Sequence, residues 1–474
     1  MEELARAGRE VAELVADHLG TVGDRRVWGP IEAADRTWLT DQPLPAEGRS
    51  LAELVEDVRT RVMPYPMGNG HPRFFGWVNS PPSPAGVLVE PLAVALNPSC
   101  AGGEHAGSML ERSVVRWLAE LVGFPHPPGG GLLTSGASMA TIVCLAAARH
   151  RAARRAGWDV REQGLFGQPP LVLYQSGESH SCVLKAAELL GVGRQNVRTV
   201  PVDTRFAMDT AALRATIADD IGQGLRPFCV CASAGTVNAG AIDPLDEVAG
   251  IADEFGLWFH VDGAYGALGV LAEQNRAAYA GLDRADSLAL DPHKWLGVPV
   301  DCGCALVQDP AMLRDAFSLV PPYLRDEHAD DLGWFAEYGI EQTRPFRALR
   351  AWATIAHLGR EGITRLVQHT TQLAHTLATM IEQAEDFELL APVGASVTVF
   401  RHHPHPGGDD PARCDELNRR IPTAVQQRGM VFFTGTTLAG QHALRTCFLN
   451  PATTEDDLLV LLDEIRAAAA QLTR

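Results

Sequence analysis

The chain has 474 residues and a mass of 51.0 kDa, enough for two or three domains with cores of their own. Hydrophobic residues make up 46% and charged residues 21% of the chain, a composition that excludes a predominantly disordered protein. The net charge of −18 at pH 7 argues against binding to nucleic acid or to an anionic membrane, so neither is expected as a partner.

The first 60 residues predict two helices separated by a proline-rich loop. The opening stretch MEELARAGREVAELVADHLG has an amphipathic helical pattern and carries acids, unlike the basic and then apolar start of a targeting signal. No run of about 18 uncharged apolar residues predicts a membrane span. Residues 63–100 are rich in proline, glycine and aromatic side chains, which predicts an irregular and functional stretch.

From Gly131 onward, short apolar runs alternate with helical patterns. The predicted strands are, in chain order, GLLTS, LVLYQ, NVRTVPV, PFCVCASA, LWFHVDGA, SLALDPH and CGCALVQ. This alternation predicts an α/β protein with a mainly parallel sheet between helices. From Phe346, long helical patterns and a few strands predict a smaller α+β domain. The expected organisation is an N-terminal helical segment (1–60), a large domain (61–345) and a small C-terminal domain (346–474).

The nine cysteines are scattered and show no zinc-site spacing, so no metal is expected. Cys229 and Cys231, like Cys302 and Cys304, lie one residue apart in strand patterns, so each pair is expected to face one side of the sheet. Buried thiols in a reducing compartment are the expected state of these residues, which favours a cytoplasmic protein.

Ligands of open parallel sheets bind where the strands end at their carboxyl edge. Lys294 follows one such strand and is one of only two lysines, with Lys185, since 38 of the 40 basic residues are arginine (40 − 2). The segments at the five informative strand ends are Gly136-Ala137-Ser138, Ser179-His180, Gly235-Thr236, Asp262 with Ala264, and Asp291-Pro292-His293-Lys294.

One cofactor, pyridoxal 5′-phosphate (PLP), uses groups of all these kinds. Its aldehyde forms a Schiff base with a lysine, and an acid keeps its pyridine nitrogen protonated so that the ring can accept electrons. Its phosphate suits free N–H groups and a serine at a helix N-terminus. An imidazole can stack on the face of its ring.

The sequence resembles the group II PLP-dependent amino-acid decarboxylases, which have the fold of aspartate aminotransferase (fold type I). The resemblance rests on HVDGAYG and DPHKWLG, with 32 residues from Asp262 to Lys294 (294 − 262). It extends through TSGASMAT, ESHSCVLKAAELLG, GTVNAGAIDP, HPRFFGW, VPPYLRDEH and HALRTCFLN, from about residue 50 to about residue 450. It implies a seven-stranded sheet, a homodimer with active sites at the interface, and conversion of an L-amino acid to an amine and CO₂.

The resemblance also implies a role for each matching residue. Lys294 matches the Schiff-base lysine, Asp262 the partner of the pyridinium nitrogen, and His180 the histidine stacked on the ring. Tyr323 matches the tyrosine of a mobile loop that returns a proton to Cα after CO₂ leaves. The matches to cofactor contacts are Ala137, Ser138 and His293 at the phosphate, Ala264 beneath the ring, and Thr236 and Ser287 as further contacts.

The substrate region departs from the family pattern. Trp77 stands where aromatic amino-acid decarboxylases have a tyrosine, and Ser80 replaces the threonine of a Pro-Thr pair. Residues 98–103 (PSCAGG) are less bulky than the matching aromatic-rich segment, so no aromatic substrate is assigned. His105, with Glu104 before it, either contacts a polar side chain of the substrate or supports the loop.

Near the cofactor, Asp291 stands where the family often has asparagine, and Met139 where it often has glutamate. The first difference puts an acid close to the predicted phosphate position. Neither difference removes a group that the chemistry requires.

Three other outcomes stay open on this scaffold. Some relatives let O₂ oxidise the product of decarboxylation and release an aldehyde, ammonia and hydrogen peroxide, although Tyr323 and His180 favour the amine. In an aminotransferase an arginine such as Arg445 would clamp the α-carboxylate, but decarboxylases of the family also have an arginine there; side-chain elimination is a related alternative. A non-catalytic PLP-binding protein is the third, and the intact Lys294 and Asp262 argue against it.

Overall fold

Helices and short strands alternate along most of the chain. The computed structural model describes residues 1–319, 332–404 and 410–473. The helices within these ranges are α1 (Glu2–Thr21), α2 (Ala33–Thr40), α3 (Leu51–Asp57), α4 (Pro84–Leu96), α5 (Ala106–Val122), α6 (Ala137–Arg155), α7 (Val160–Gln163), α8 (Ser181–Leu189), α9 (Thr210–Gly222), α10 (Leu245–Phe255), α11 (Pro310–Phe317), α12 (Arg347–Gln383, interrupted at Gly359), α13 (Pro411–Arg428) and α14 (Glu455–Leu472). The strands are β1 (Gly131–Thr134), β2 (Leu171–Ser176), β3 (Val197–Val200), β4 (Arg226–Ser233), β5 (Trp258–Asp262), β6 (Ser287–Leu290), β7 (Gly303–Val307), β8 (Phe387–Leu389), β9 (Val397–His402), β10 (Thr434–Leu438) and β11 (Gln441–Cys447).

Strands β1 to β7 form one sheet in the order β1-β7-β6-β5-β4-β2-β3. The neighbours from β3 through β2, β4 and β5 to β6 are parallel. Strand β7 is antiparallel to both β6 and β1, so β1 runs in the same direction as β6. Six strands therefore end at one edge of the sheet, and the prediction of a mainly parallel seven-stranded sheet is confirmed.

Both faces of this sheet are buried along its central strands. Alternate residues of β2 and β4, including Leu173, Cys229 and Cys231, pack into one cluster with α6 and α8. The residues between them, such as Tyr174 and Val230, are buried as well. Strands that are buried on both sides need no polar alternation, which explains why they read as continuous apolar runs. All nine cysteines are free and buried, as predicted.

The described chain forms two compact units. The larger unit consists of Pro82–His375 and Ala391–Thr398 and contains the seven-stranded sheet. The smaller unit consists of Met1–Pro81, Thr376–Leu390 and Val399–Arg474. A second sheet has the order β10-β11-β9-β8, in which β10 with β11 and β8 with β9 are antiparallel pairs.

The boundaries of these units differ from those that the sequence pattern suggests. The N-terminal residues are part of the smaller unit because Phe75 N–H donates to the Phe432 carbonyl at 2.6 Å, and Cys447 N–H donates to the Phe75 carbonyl at 3.1 Å. The larger unit continues into α12, where Trp295 Nε1 donates to Thr370 Oγ1 at 2.9 Å. Hydrogen bonds between distant parts of a chain leave no local sequence signal.

Part of the stretch that was expected to be irregular is helical. Helix α4 lies within residues 63–100, begins at a proline and ends before Asn97, which has a left-handed backbone (φ 44°). Pro91 inside the helix and the prolines before it obscured the helical pattern. Within the described ranges no helix, α4 included, is both long enough and apolar enough to cross a bilayer.

Candidate active site

The predicted groups come together at one edge of the seven-stranded sheet. Strands β1, β2, β4, β5 and β6 all end at this edge, and each is followed by one of the segments singled out in the sequence. The strand order puts the groups that follow β5 and β6 between those that follow β1 and those that follow β4 and β2. The edge is formed by the larger unit.

Lys294 lies in a tight turn shortly after β6. Its backbone N–H donates to the Asp291 carbonyl at 2.9 Å, and the next residue, Trp295, is buried. Lys294 Nζ lies 3.0 Å from Asp291 Oδ2, and the lysine side chain is 22% exposed. The amine thus has an ion partner and still opens to the edge. The other lysine, Lys185, is exposed on α8.

Asp262 is the last residue of β5 and is 7% exposed. Its Oδ1 accepts a hydrogen bond from Ala264 N–H at 3.1 Å, and its Oδ2 lies 3.5 Å from Cys182 Sγ. Burial raises the pKa of the Cys182 thiol, and the charge of Asp262 raises it further, so the thiol stays protonated and donates to the carboxylate. The acid is therefore held in one orientation from two sides.

His180 is the N-cap of α8, and its Nδ1 accepts a hydrogen bond from Cys182 N–H at 3.2 Å. Nε2 therefore carries the proton of the neutral ring. Burial lowers the pKa of His180. The charge of Lys294 lowers this pKa further and the charge of Asp262 raises it, but burial is the larger effect, so the ring is neutral at pH 7.

One group of possible metal ligands occurs within the described ranges, namely His180, Cys182 and Asp262, whose ligand atoms lie within 4.8 Å of one another. A metal requires a deprotonated thiol and an unprotonated ring nitrogen facing it. In the structure Cys182 Sγ lies 3.5 Å from Asp262 Oδ2 and His180 Nδ1 accepts Cys182 N–H, so these ligand atoms are already engaged with one another.

The N-terminus of α6 follows β1 through a glycine turn. Gly136 is the N-cap and has no side chain with which to cap the helix. Ala137 N–H donates to Asp291 Oδ1 at 2.6 Å, whereas the Ser138 hydroxyl is exposed and has no partner among the described residues. The turn is tightly enclosed, because a Cβ on Gly303 of β7 would lie 2.4 Å from the Gly136 carbonyl carbon.

Three further residues with predicted cofactor contacts occupy the loops of this edge. His293 Nδ1 lies 3.6 Å from Asp291 Oδ1. The carbonyl of Ala264 accepts Asp291 N–H at 3.1 Å, which ties the end of β5 to the end of β6. Thr236 is buried after β4, and its hydroxyl accepts Ala241 N–H at 3.0 Å.

Ser287 lies elsewhere. It is the first residue of β6, opposite His260 on β5, and so stands at the far end of the strand from Lys294. Its buried hydroxyl accepts from Trp258 Nε1 at 2.7 Å and lies 2.8 Å from His260 Nδ1. Burial lowers the pKa of His260 to about 4, so this hydrogen-bonded ring is neutral. The structure does not support the predicted cofactor contact at Ser287, because the strand direction carries it away from the edge.

The residues predicted for the substrate pocket are divided between the two units. In the larger unit His105 is the N-cap of α5, and its Nδ1 accepts Gly107 N–H at 3.2 Å, which favours the loop-supporting interpretation. Trp77, Ser80 and Arg445 belong to the smaller unit. There Arg445 Nη1 donates to the Trp77 carbonyl at 2.8 Å.

Sequence reasoning missed one residue of this edge and undervalued another. Cys182, which contacts Asp262, was not considered; its place in the first turn of the helix that His180 caps was the available signal. Asp291 was given no role beyond placing an acid near the predicted phosphate position, yet it contacts both Lys294 and Ala137. Tyr323 lies outside the described residues.

The groups at this edge fit PLP. The edge offers a partly exposed amine, a buried carboxylate, a neutral imidazole and a helix N-terminus with an unpartnered hydroxyl. These are the groups that the aldehyde, the pyridine nitrogen, the ring face and the phosphate of PLP require. Together the fold and the edge define a fold type I, PLP-dependent enzyme.

Comparison with known proteins agrees with this class. The pyridoxal-dependent decarboxylase conserved domain matches residues 34–403. The chain is 30% identical over 476 residues to the aromatic-L-amino-acid decarboxylase of Bacillus atrophaeus (100% of this chain, 96% of that protein). It is also 30% identical over 467 residues to a phenylacetaldehyde synthase of Arabidopsis thaliana (96% and 93%). The crystal structure of Oryza sativa TDC with PLP and tryptamine superimposes with a TM-score of 0.91 at 24% identity, covering 100% of this chain and 99% of that one.

This chain belongs to the pyridoxal-dependent decarboxylase family. Its cofactor is PLP, and it is a carboxy-lyase that acts on an amino acid. The expectations of family, fold and cofactor are confirmed.

Proposed function

We propose that the chain converts an L-amino acid to the corresponding amine and CO₂. The observation that carries the proposal is the convergence of Lys294, Asp262 and neutral His180 at one sheet edge, in a member of a decarboxylase family. The overall change removes CO₂ from Cα and puts a proton in its place.

PLP, when bound, supplies an electron sink for the electron pair left on Cα when CO₂ departs. In our proposal Lys294 holds the cofactor through its amine, and the buried Asp262 keeps the pyridine nitrogen protonated. Cys182 donates to Asp262 Oδ2 and so keeps that carboxylate in place. His180 presents a neutral ring to the cofactor, which adds no charge beside the reacting carbon.

The remaining predicted contacts divide by chemistry. The N-terminus of α6, with the free hydroxyl of Ser138, and His293 would bind the phosphate. Ala264 would lie beneath the ring, where its small side chain leaves room. Thr236 would contact the cofactor from the turn after β4. Its hydroxyl oxygen already accepts Ala241 N–H, so another group of this residue would make the contact.

In this proposal Tyr323 returns the proton to Cα as a general acid. Replacement of Tyr323 by Phe removes the phenolic hydroxyl, and we expect the products to shift from the amine towards aldehyde, ammonia and hydrogen peroxide. Mass spectrometry of the products and a peroxide assay measure the ratio. As a control, Tyr65→Phe changes a tyrosine whose hydroxyl donates to Asp35 at 2.5 Å in the smaller unit, and it should leave the ratio unchanged. An unaltered ratio in Tyr323→Phe would remove this tyrosine from the proton transfer.

A second candidate is decarboxylation with oxidation, in which an amino acid, O₂ and water yield an aldehyde, CO₂, ammonia and hydrogen peroxide. Similarity to the phenylacetaldehyde synthase favours it, at the same 30% identity as the decarboxylase. The PLP-loaded protein should therefore be incubated in air with a pool of L-amino acids. A product lighter than one substrate by CO₂ alone supports the amine, whereas an aldehyde with equivalent peroxide supports the second candidate.

We also propose that the chain forms a homodimer and, given nine free thiols, that it resides in the cytoplasm. Helix α4 supports the dimer, because Leu88, Leu92 and Leu96, at i, i+4 and i+8, are 71%, 60% and 69% exposed along one face. Such a face of leucines is costly to leave in water. Light scattering should give about twice 51.0 kDa for the native chain and a monomer for Leu88→Arg/Leu92→Arg. A monomeric native chain would contradict the dimer.

A further inference from the structure

Asp291 connects three of the groups that the cofactor is proposed to use. Its Oδ1 accepts the Ala137 N–H of α6 at 2.6 Å and lies 3.6 Å from His293 Nδ1. Its Oδ2 lies 3.0 Å from Lys294 Nζ. The aspartate is itself buried, at 7% exposure. One carboxylate thus accepts a hydrogen bond from the N-terminus of α6 and forms an ion pair with the lysine at the same time.

The carboxylate is an anion at the place where the phosphate is expected to bind. A helix N-terminus favours negative charge, and here a carboxylate already satisfies its first N–H group. A phosphate monoester carries about −1.5 to −2 charges at pH 7. Two anions that share one small, partly buried site repel each other strongly, because little water lies between them to screen the charges. The phosphate therefore has to bind beside a like charge.

We propose that Asp291 is a specificity-determining residue that weakens the hold of this chain on the phosphate of PLP. Asp291 pairs with Ala137 N–H and with Lys294 Nζ in the structure. Binding of PLP then has to disrupt these pairs and place the phosphate next to the carboxylate. The inference rests on the proposed position of the phosphate at α6.

Asparagine is the decisive replacement at this position. Asp291→Asn keeps the shape of the side chain and an oxygen that can accept Ala137 N–H, and it removes only the charge. Asp291→Ser is a second variant that also retains an acceptor and removes the charge, should the first fail to fold. The matched control is Asp209→Asn, the same change at the N-cap of α9, where Asp209 Oδ1 accepts Ala212 N–H at 3.0 Å.

The test measures the dissociation constants of PLP and of pyridoxal, which lacks the phosphate, for each cofactor-free variant by equilibrium dialysis. We expect Asp291→Asn to lower the dissociation constant of PLP by about tenfold more than it lowers that of pyridoxal, because only PLP carries the repelled phosphate. Asp209→Asn should change neither constant. Circular dichroism establishes that each variant is folded.

Two results would overturn the proposal. PLP binding that is unchanged or weaker in Asp291→Asn would show that the carboxylate does not oppose the phosphate. An equal gain for PLP and pyridoxal would show that the charge acts on Lys294 alone. Asp291→Asn protein that binds PLP no better than pyridoxal would overturn the proposed phosphate position itself, because the opposing charge is absent from that variant.

Discussion

Replacement of Lys294 by alanine is expected to abolish turnover, with a fall of about 10⁴-fold or more, the scale of loss when a covalent catalytic group is removed. The amine of Lys294 is partly exposed at the sheet edge and is one of two in the whole chain, so no neighbouring lysine can replace it. The visible absorption of lysine-bound PLP should disappear in the same variant. Both are measured on protein purified with added PLP.

Lys185 provides the matched control. It lies exposed on α8, the helix that His180 caps, and is the only other lysine. Lys185→Ala should keep both the absorption and the turnover of the native chain. Near-normal turnover of Lys294→Ala would contradict the proposed function as a whole, whereas loss of activity in both variants would point to damage to the fold.

Replacement of Asp262 by asparagine is expected to lower turnover by about 10²–10³-fold, as the loss of a single preorganised electrostatic partner does. Asparagine has nearly the same shape and still accepts Ala264 N–H, but it does not hold a proton on the pyridine nitrogen. Lys294 is unaltered, so the variant should still bind PLP and show the absorption of lysine-bound cofactor. Steady-state kinetics and an absorption spectrum on the same sample separate the two effects.

Cys182 makes this prediction sharper, because its thiol contacts Asp262 Oδ2 at 3.5 Å. Cys182→Ala removes the donor, and Cys182→Ser retains one. We expect about a tenfold loss of turnover in the alanine variant, the value of one hydrogen bond to a charged group, and recovery in the serine variant. Cys304→Ala, a buried thiol of β7, controls for lost packing. Full activity of Asp262→Asn would remove Asp262 from its proposed role.

Local sequence patterns were sufficient to predict the strands and helices, because these elements depend on residues that are close together in the chain. Buried strands of four to eight residues and the helices between them have distinct apolar periods, so the sheet of β1 to β7 was predictable. The rule that ligands bind at the carboxyl edge of a parallel sheet then groups His180, Asp262 and Lys294. Resemblance to the decarboxylases supplied the cofactor and the role of each residue.

Ser287 shows where such reasoning fails. Ser287 is the first of the four residues of β6 (Ser287–Leu290), and the turn that contains Lys294 follows the last of them, so the two residues lie at opposite ends of the strand. The hydroxyl of Ser287 is hydrogen-bonded to Trp258 and His260, which belong to the neighbouring strand β5. The sequence did not predict helix α4 for another reason, because the proline inside the helix obscured its apolar period.

The sequence by itself determined the class of fold, because this depends on local period and on order along the chain; its resemblance to the decarboxylases then predicted PLP and the roles of Lys294 and Asp262. Only the tertiary structure decided which groups touch. It placed Cys182 against Asp262, put the Asp291 carboxylate between Lys294 and the N-terminus of α6, and joined the N-terminal residues to the smaller unit. Contacts of this kind join residues far apart in sequence, and their distances follow from packing that no local pattern encodes.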